Sequence, residues 1–258
     1  ATTEIYSLSL HDALPICKAA AEIRPIRISL RPASSEGLNV ALRYGEGVQA
    51  VLELADFSRD PRLLRGELRI NAGAARLPDA PGLAVVARLP RWELNALTVS
   101  APGLLEQNGN AASPWRVLRS LDARIGELSV GQQIFTGVAL NAARQDKSTQ
   151  IEINSEALAG RVTAPDQPSP ERPLQIALRR LYLRRAADAM VGVAKDPDPN
   201  APDPRWLPPL IITVSALRLN EAALGRLRLA ALPRPNGIRL TEFTLDSKRQ
   251  RIEARDYW

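Results

Sequence analysis

The side chains able to do acid–base, nucleophilic or metal chemistry are few in this chain of 258 residues. His11 is the single histidine and Cys17 the single cysteine. A Ser/His/Asp or Cys/His set needs an imidazole beside its nucleophile, and the residues beyond 16 supply none. One cysteine excludes an internal disulfide and a thiolate metal cluster. Neither common Gly-rich phosphate-loop pattern occurs. What remains is carboxylate. Glu67, Asp79, Glu93 and Glu127 offer pairs of the kind glycosidases use, but carboxylates are also what a solvated strand face carries. Asp196, Asp198 and Asp203 suggest a calcium loop. Prolines at 197, 199, 202 and 204, with no central Gly or terminal Glu, break that pattern. No catalytic residue, cofactor or metal is expected.

The net charge is +6 and the isoelectric point about 10.0. Such a balance suits nucleic acid or an anionic membrane surface. Lys18, Lys147, Lys195 and Lys248 are the only lysines among 34 basic residues, the rest being Arg. Aromatic residues make up 4% of the chain, and no basic stretch is interleaved with them as single-strand binders require. Nucleic acid is therefore not an expected partner. Trp92, Trp115, Trp206 and Trp258 read as packing residues.

The elements that must position any function are strands. Apolar and polar residues alternate with period two at 26–30, 38–44, 51–54, 67–70, 94–99, 151–153 and 174–178, and densely from 211 to the end. Most runs are followed within a few residues by Gly, Pro, Asn or Asp, the pattern of antiparallel strands with one apolar and one polar face. One or two short helices are expected, at 115–121 and 184–194. Residues 165–173 are Pro-rich, and the Pro/Asp-rich stretch at 196–208 is expected to be a loop. An internal repeat stands out. Ile125, Leu128, Val130, Phe135, Val138 and Leu140 recur at one constant offset as Val214, Leu217, Leu219, Leu224, Leu227 and Leu229, with Gly137 and Gly225 near the same place in each copy. The unit reads as strand, tight turn, strand. Repeated hairpins that bury one face against their neighbours describe an extended array better than a compact sandwich.

Residues 8–16 read as the translation of a sequencing-adaptor primer, and the only methionine is Met190. Residues 1–16 are accordingly expected to be non-native. The expected organisation is then β-groove repeats at 17–195, the loop at 196–208, and a further β-groove repeat at 209–258, cut short at its C-terminal end. No run approaches 18 consecutive apolar residues, so no transmembrane helix is expected within the chain.

Three stretches carry a family resemblance: Leu77-Pro78-Asp79-Ala80-Pro81-Gly82-Leu83; Ala157-Leu158-Ala159-Gly160-Arg161-Val162; and the region from Leu207-Pro208-Pro209-Leu210 through Leu224-Gly225-Arg226-Leu227-Arg228-Leu229 and Asn236-Gly237-Ile238-Arg239-Leu240 to Ile252-Glu253-Ala254 and Trp258. In their order and spacing the sequence resembles the AsmA-like superfamily of Gram-negative envelope proteins, specifically its large YhdP-type branch. The resemblance implies a mostly periplasmic, inner-membrane-anchored protein whose strands curl into a long groove with an apolar inner surface. It implies passage of phospholipid between inner and outer membranes in support of the outer-membrane barrier. The chain is expected to be an internal piece of such a protein, without the membrane anchor or the C-terminal AsmA-like region.

The expected fold class is all-β: repeated antiparallel hairpins forming an elongated, twisted, groove-like (taco-shaped) sheet with one or two short helices. Phospholipid acyl chains are the expected partner. The residues expected to line the groove are Leu128, Val130, Val138, Leu140, Ile151, Ile153, Val214, Leu217, Leu219, Leu227, Leu229, Ile238, Leu240, Phe243, Leu245 and Ile252. The arginines alternating with them, such as Arg218, Arg228 and Arg239, are expected to solvate the outer face, with phosphate contact at a groove rim as their other role. The competing expectation is a structural or adhesive β domain whose aliphatics form a closed core.

Overall fold

The structure is a computed structural model that describes residues 25–33, 37–56, 61–94, 117–184, 208–234, 237–248 and 250–257. The elements there are strands alone: β1 (Ile26–Pro32), β2 (Gly37–Tyr44), β3 (Val48–Ala55), β4 (Arg62–Ile70), β5 (Gly82–Glu93), β6 (Leu118–Val130) and β7 (Gln133–Gln145), followed by β8 (Ser148–Asn154), β9 (Leu158–Pro165), β10 (Leu174–Leu183), β11 (Leu210–Leu219), β12 (Ala222–Arg234), β13 (Gly237–Asp246) and β14 (Arg251–Tyr257). They form one open 14-stranded sheet in sequence order. Thirteen strand-to-strand steps of about 4.8 Å make it on the order of 60 Å long. The all-β, mostly antiparallel, groove-like sheet expected from alternation is the fold found.

Two features depart from the sequence reading. Residues 118–121, assigned to a short helix, begin β6, where they pair with β5 and β7. One or two turns of isolated helix are marginal, and two flanking ladders outweigh them. The other expected helix, at 184–194, lies almost wholly outside the described residues, as do the adaptor-like segment and most of the Pro/Asp-rich stretch. The second departure is in direction. β4–β5, β5–β6 and β10–β11 pair in parallel. A parallel neighbour cannot be reached by a tight turn, because the chain must return along the strand first. The stretch at 196–208 falls in the return between β10 and β11.

The return from β4 to β5, residues 71–81, is fully described. It lies against polar side chains of β4. The Arg69 guanidinium donates to the Ala72 carbonyl at 2.8 Å, Arg65 donates to the Pro78 carbonyl at 3.3 Å, and the Arg76 amide donates to a Glu67 oxygen at 2.7 Å. Arg65, Glu67 and Arg69 share the polar face of β4, so this crossover stays off the apolar one.

The internal repeat is visible as geometry. Ile125 faces Val138 across β6–β7, and Val214 faces Leu227 across β11–β12. Both hairpins turn on left-handed residues at the corresponding place, Gly131 (φ 58°) and Asn220 (φ 52°). Each hairpin is entered from a parallel neighbour, β5 in one case and β10 in the other.

Candidate functional site

Register decides which side chains share a face, because directly paired residues point the same way. Starting from Ile125, the pairing leads in one direction to Leu89, then through Ala87 to Ile70, Val48, Tyr44 and Ile26. In the other direction it leads through Val138, Leu140, Ile153, Gly160, Leu178, Val214, Leu227 and Leu245 to Ile252. One apolar face therefore crosses all fourteen strands without a break. All sixteen residues expected to line a groove lie on it. Leu128 and Val130 stand on β6, Val138 and Leu140 on β7, and Ile151 and Ile153 on β8. Val214, Leu217 and Leu219 stand on β11, Leu227 and Leu229 on β12, Ile238, Leu240, Phe243 and Leu245 on β13, and Ile252 on β14. Leu128, Val138, Leu140, Val214 and Leu217 are buried, Ile252 is exposed, and the other ten are partly open to solvent.

The sequence reading missed residues of the same face on the N-terminal strands and in the middle of the sheet. These include Leu30, Val40, Leu52, Leu68, Val85, Leu121, Ile176 and Ile212. Their alternation was legible. What was absent was any means of matching one strand's face to another's.

Burial along this face is uneven, and the cause is local. On β5, β6 and β7 the apolar positions skip one residue at the same level, from Leu89 to Trp92, Ile125 to Leu128 and Val138 to Phe135, while the pairing between strands is kept. β10 and β11 do the same, from Leu178 to Leu181 and from Val214 to Leu217. On β10 and β11 the skipped residue coincides with bulges against β9 and β12, between Leu178 and Arg180 and between Val214 and Leu217, and a bulge bends its strand and increases its twist. The aligned three-residue steps on neighbouring strands mark a crease across the apolar face. Large side chains beside it are sealed: Ile125 is 2% exposed, Val138 1% and Val214 2%. The sheet is therefore concave toward its apolar side here, where side chains from both sides of the crease form one cluster. Away from the crease the face opens, and on β1 Leu30 is 55% exposed.

The opposite face is polar and laced with cross-strand ion pairs: Glu53–Arg65, Asp122–Arg88, Glu127–Arg91, Glu152–Arg161 and Glu242–Arg228. Arg218 lies over the Tyr182 ring, 4.9 Å from its centroid. Two of the carboxylates considered for acid–base work are engaged here. Glu127 accepts from Arg91 at 2.8 Å. Burial pushes the Glu67 carboxyl upward, but hydrogen bonds from Arg69 and the Arg76 amide outweigh it and hold the group below its ordinary value. A general acid at neutral pH needs the opposite shift. Arg88 hydrogen bonds likewise hold Asp122 low. Among the described residues no group of three or more His, Cys, Asp or Glu is placed to hold a metal, and no helix is long and apolar enough to cross a membrane.

A family model described as YhdP protein matches residues 3–258. No curated protein and no solved structure matches the chain.

Proposed function

Because the chain belongs to the YhdP protein family, we propose that its apolar face is a trough that binds phospholipid acyl chains and conducts them between inner and outer membrane, as part of a longer periplasmic protein anchored in the inner membrane. The observation that carries this reading is the unbroken apolar face across fourteen strands, most of it only partly covered. Each methylene removed from water is worth roughly 0.8 kcal/mol, so a tail of about 16 carbons crossing water bare faces a cost on the order of 10 kcal/mol. A continuous aliphatic surface lowers that cost at every step and demands no special side-chain chemistry. Large exposed apolar surfaces are rare on soluble domains unless they bind something.

A second reading, a structural or adhesive domain with a closed core, draws its support from the crease, where Ile125, Val138 and Val214 are sealed. The two readings separate in one experiment. A photo-crosslinking residue is placed at Leu240 or Leu229 on the apolar face, and at Thr244 on the polar face, in cells expressing the full-length protein. The conduction reading expects phospholipid adducts at Leu240 and Leu229 and none at Thr244. Adducts at neither apolar position, or equal labelling of both faces, refute it.

A further inference from the structure

The two copies of the repeat carry different charge on the polar face. Beside the crease the first copy presents Arg91 and Glu93 on β5 and Glu127 on β6, with Arg91 and Glu127 paired at 2.8 Å. At the corresponding places the second copy has Arg180, Tyr182 and Ala216. It also has Arg179 where the first has Pro90, Arg218 where the first has Ser129, and Arg226 where the first has Gly137. At these six places one arginine with two carboxylates becomes four arginines with none. Arg180 turns its guanidinium to the Ser155 carbonyl, at 2.5 and 3.2 Å, and Arg218 lies over the Tyr182 ring. Arg179, Arg218 and Arg226 are exposed. No ion pair joins any of these three to a carboxylate among the described residues, although Arg226 has Asp246 as its register partner on β13. The strands concerned are interior to the sheet, with β9 beside β10 and β13 beside β12. Like charges gathered on neighbouring strands destabilise them, so stability does not account for the change between the copies.

We infer that the polar face of β10–β12 binds an acidic, extended segment of a protein partner, with Arg179, Arg218 and Arg226 taking its carboxylates. β10 and β12 are two strand steps apart, roughly 9.6 Å. Carboxylates three residues apart on an extended chain are separated by about 9–10 Å. One such segment laid across the strands therefore meets arginines of β10 and β12 together. The bulge between Leu178 and Arg180 supplies Arg179 as an extra residue on β10, and bulges are a means of re-aiming side chains. The crease makes the sheet concave toward its apolar side, so the arginines stand on the convex one. Stacking on Tyr182 leaves the N–H edges of Arg218 free, and a guanidinium takes a carboxylate through paired donors. A patch two strand steps wide suits two or three carboxylates, whereas nucleic-acid binders commonly neutralise about 6–10 phosphates. The inference does not rest on lipid conduction. It concerns the other face of the sheet and is read with a soluble peptide.

The probe is a fluorescently labelled peptide of Glu-Pro-Pro triplets, whose polyproline II helix sets a row of carboxylates about 9.3 Å apart. A peptide of Gln-Pro-Pro triplets is its neutral counterpart. Binding to the full chain is followed by fluorescence anisotropy at about 0.15 M salt, where charges more than about 8 Å apart are largely screened. The Glu peptide is expected to bind and the Gln peptide to stay free. The combined Arg179→Gln, Arg218→Gln and Arg226→Gln variant is expected to bind the Glu peptide about 30-fold more weakly. The matched control, Arg88→Gln with Arg91→Gln and Arg161→Gln, removes the same net charge from ion-paired positions and is expected to change binding by less than about threefold. Ala216→Glu restores the carboxylate that the first copy carries and is expected to weaken binding about fivefold. It keeps the inference open to refutation even if the triple variant fails to fold. Equal affinity for the two peptides, equal losses in the two triple variants, or undiminished binding by Ala216→Glu would each overturn the site. Binding is expected to persist in excess inorganic phosphate, and displacement would reassign the arginines to a small anion. Association of the same arginines with an oligonucleotide or with anionic vesicles, while the Glu peptide stays free, would overturn the site in favour of those polyanions.

Discussion

Gly126 sits at the crease, where the apolar positions of β5, β6 and β7 step by three residues in register, and replacing it with Ala tests whether that crease is built on close backbone approach. A Cβ added there would lie 2.5 Å from the Pro90 carbonyl oxygen, and 3.4 Å and 3.6 Å from the Pro90 carbonyl carbon and Cα. Relaxed heavy-atom contacts are about 3.5–4.0 Å, so β5 and β6 must part by roughly 1–1.5 Å. The obstacle is backbone and cannot rotate away. Moving it disturbs the register that aligns Leu89 with Ile125 and Trp92 with Leu128. Overpacking of this kind costs about 1–3 kcal/mol. At roughly 2–4 °C per kcal/mol for a chain of this size, the Gly126→Ala midpoint should fall by about 2–12 °C. Gly137, its neighbour on β7, is the internal control. A Cβ there meets nothing within 4 Å, but φ is +60°. Its Ala variant should lose about 1–2 kcal/mol from left-handed strain alone. Asn tolerates that conformation, so Gly137→Asn should recover much of the loss, while Gly126→Asn should recover nothing. The assay is thermal unfolding followed by the far-ultraviolet signal of the sheet. Wild-type stability for Gly126→Ala, or recovery by Gly126→Asn, would refute the close-approach account of the crease.

Three further outcomes follow from the same geometry. Thr149 is 0% exposed and its hydroxyl has no hydrogen-bond partner among the described residues, so Thr149→Val should raise stability by roughly 0.5–2 kcal/mol in urea unfolding, and a loss would show that the hydroxyl is satisfied. Leu217→Ala, at the crease, should cost about 2–4 kcal/mol, whereas Leu30→Ala on exposed β1 should cost less than about 0.5 kcal/mol; equal costs would mean that burial is uniform along the face. Asp122 and Glu67 are held below their ordinary values in the folded chain, so their contribution is complete above the unfolded carboxylate value near 4 and is lost as pH falls through the lower folded values. Asp122→Asn should therefore flatten part of the acid limb of a stability–pH profile, and an unchanged limb would remove Arg88 as the cause.

The strands and their two faces were legible in the residue pattern. Period-two alternation is a property of single segments, so Ile238, Leu240 and their like were assignable to an apolar face without coordinates. The constant offset between Ile125–Leu140 and Val214–Leu229 likewise announced a repeated hairpin, because equal local patterns fold into equal local units. The segment from 118 to 121 misled, since a few residues of ambiguous pattern take their conformation from the strands beside them. How the faces join was set by long-range pairing. Three parallel pairings, the in-register alignment of the steps from Pro90 to Gly137, and the pairing of Arg27 with Arg43 depend on which residues are brought side by side by hydrogen bonding between distant segments. Neither residue type nor spacing along one strand carries that information, because a ladder can be shifted by two residues without changing any strand's own alternation.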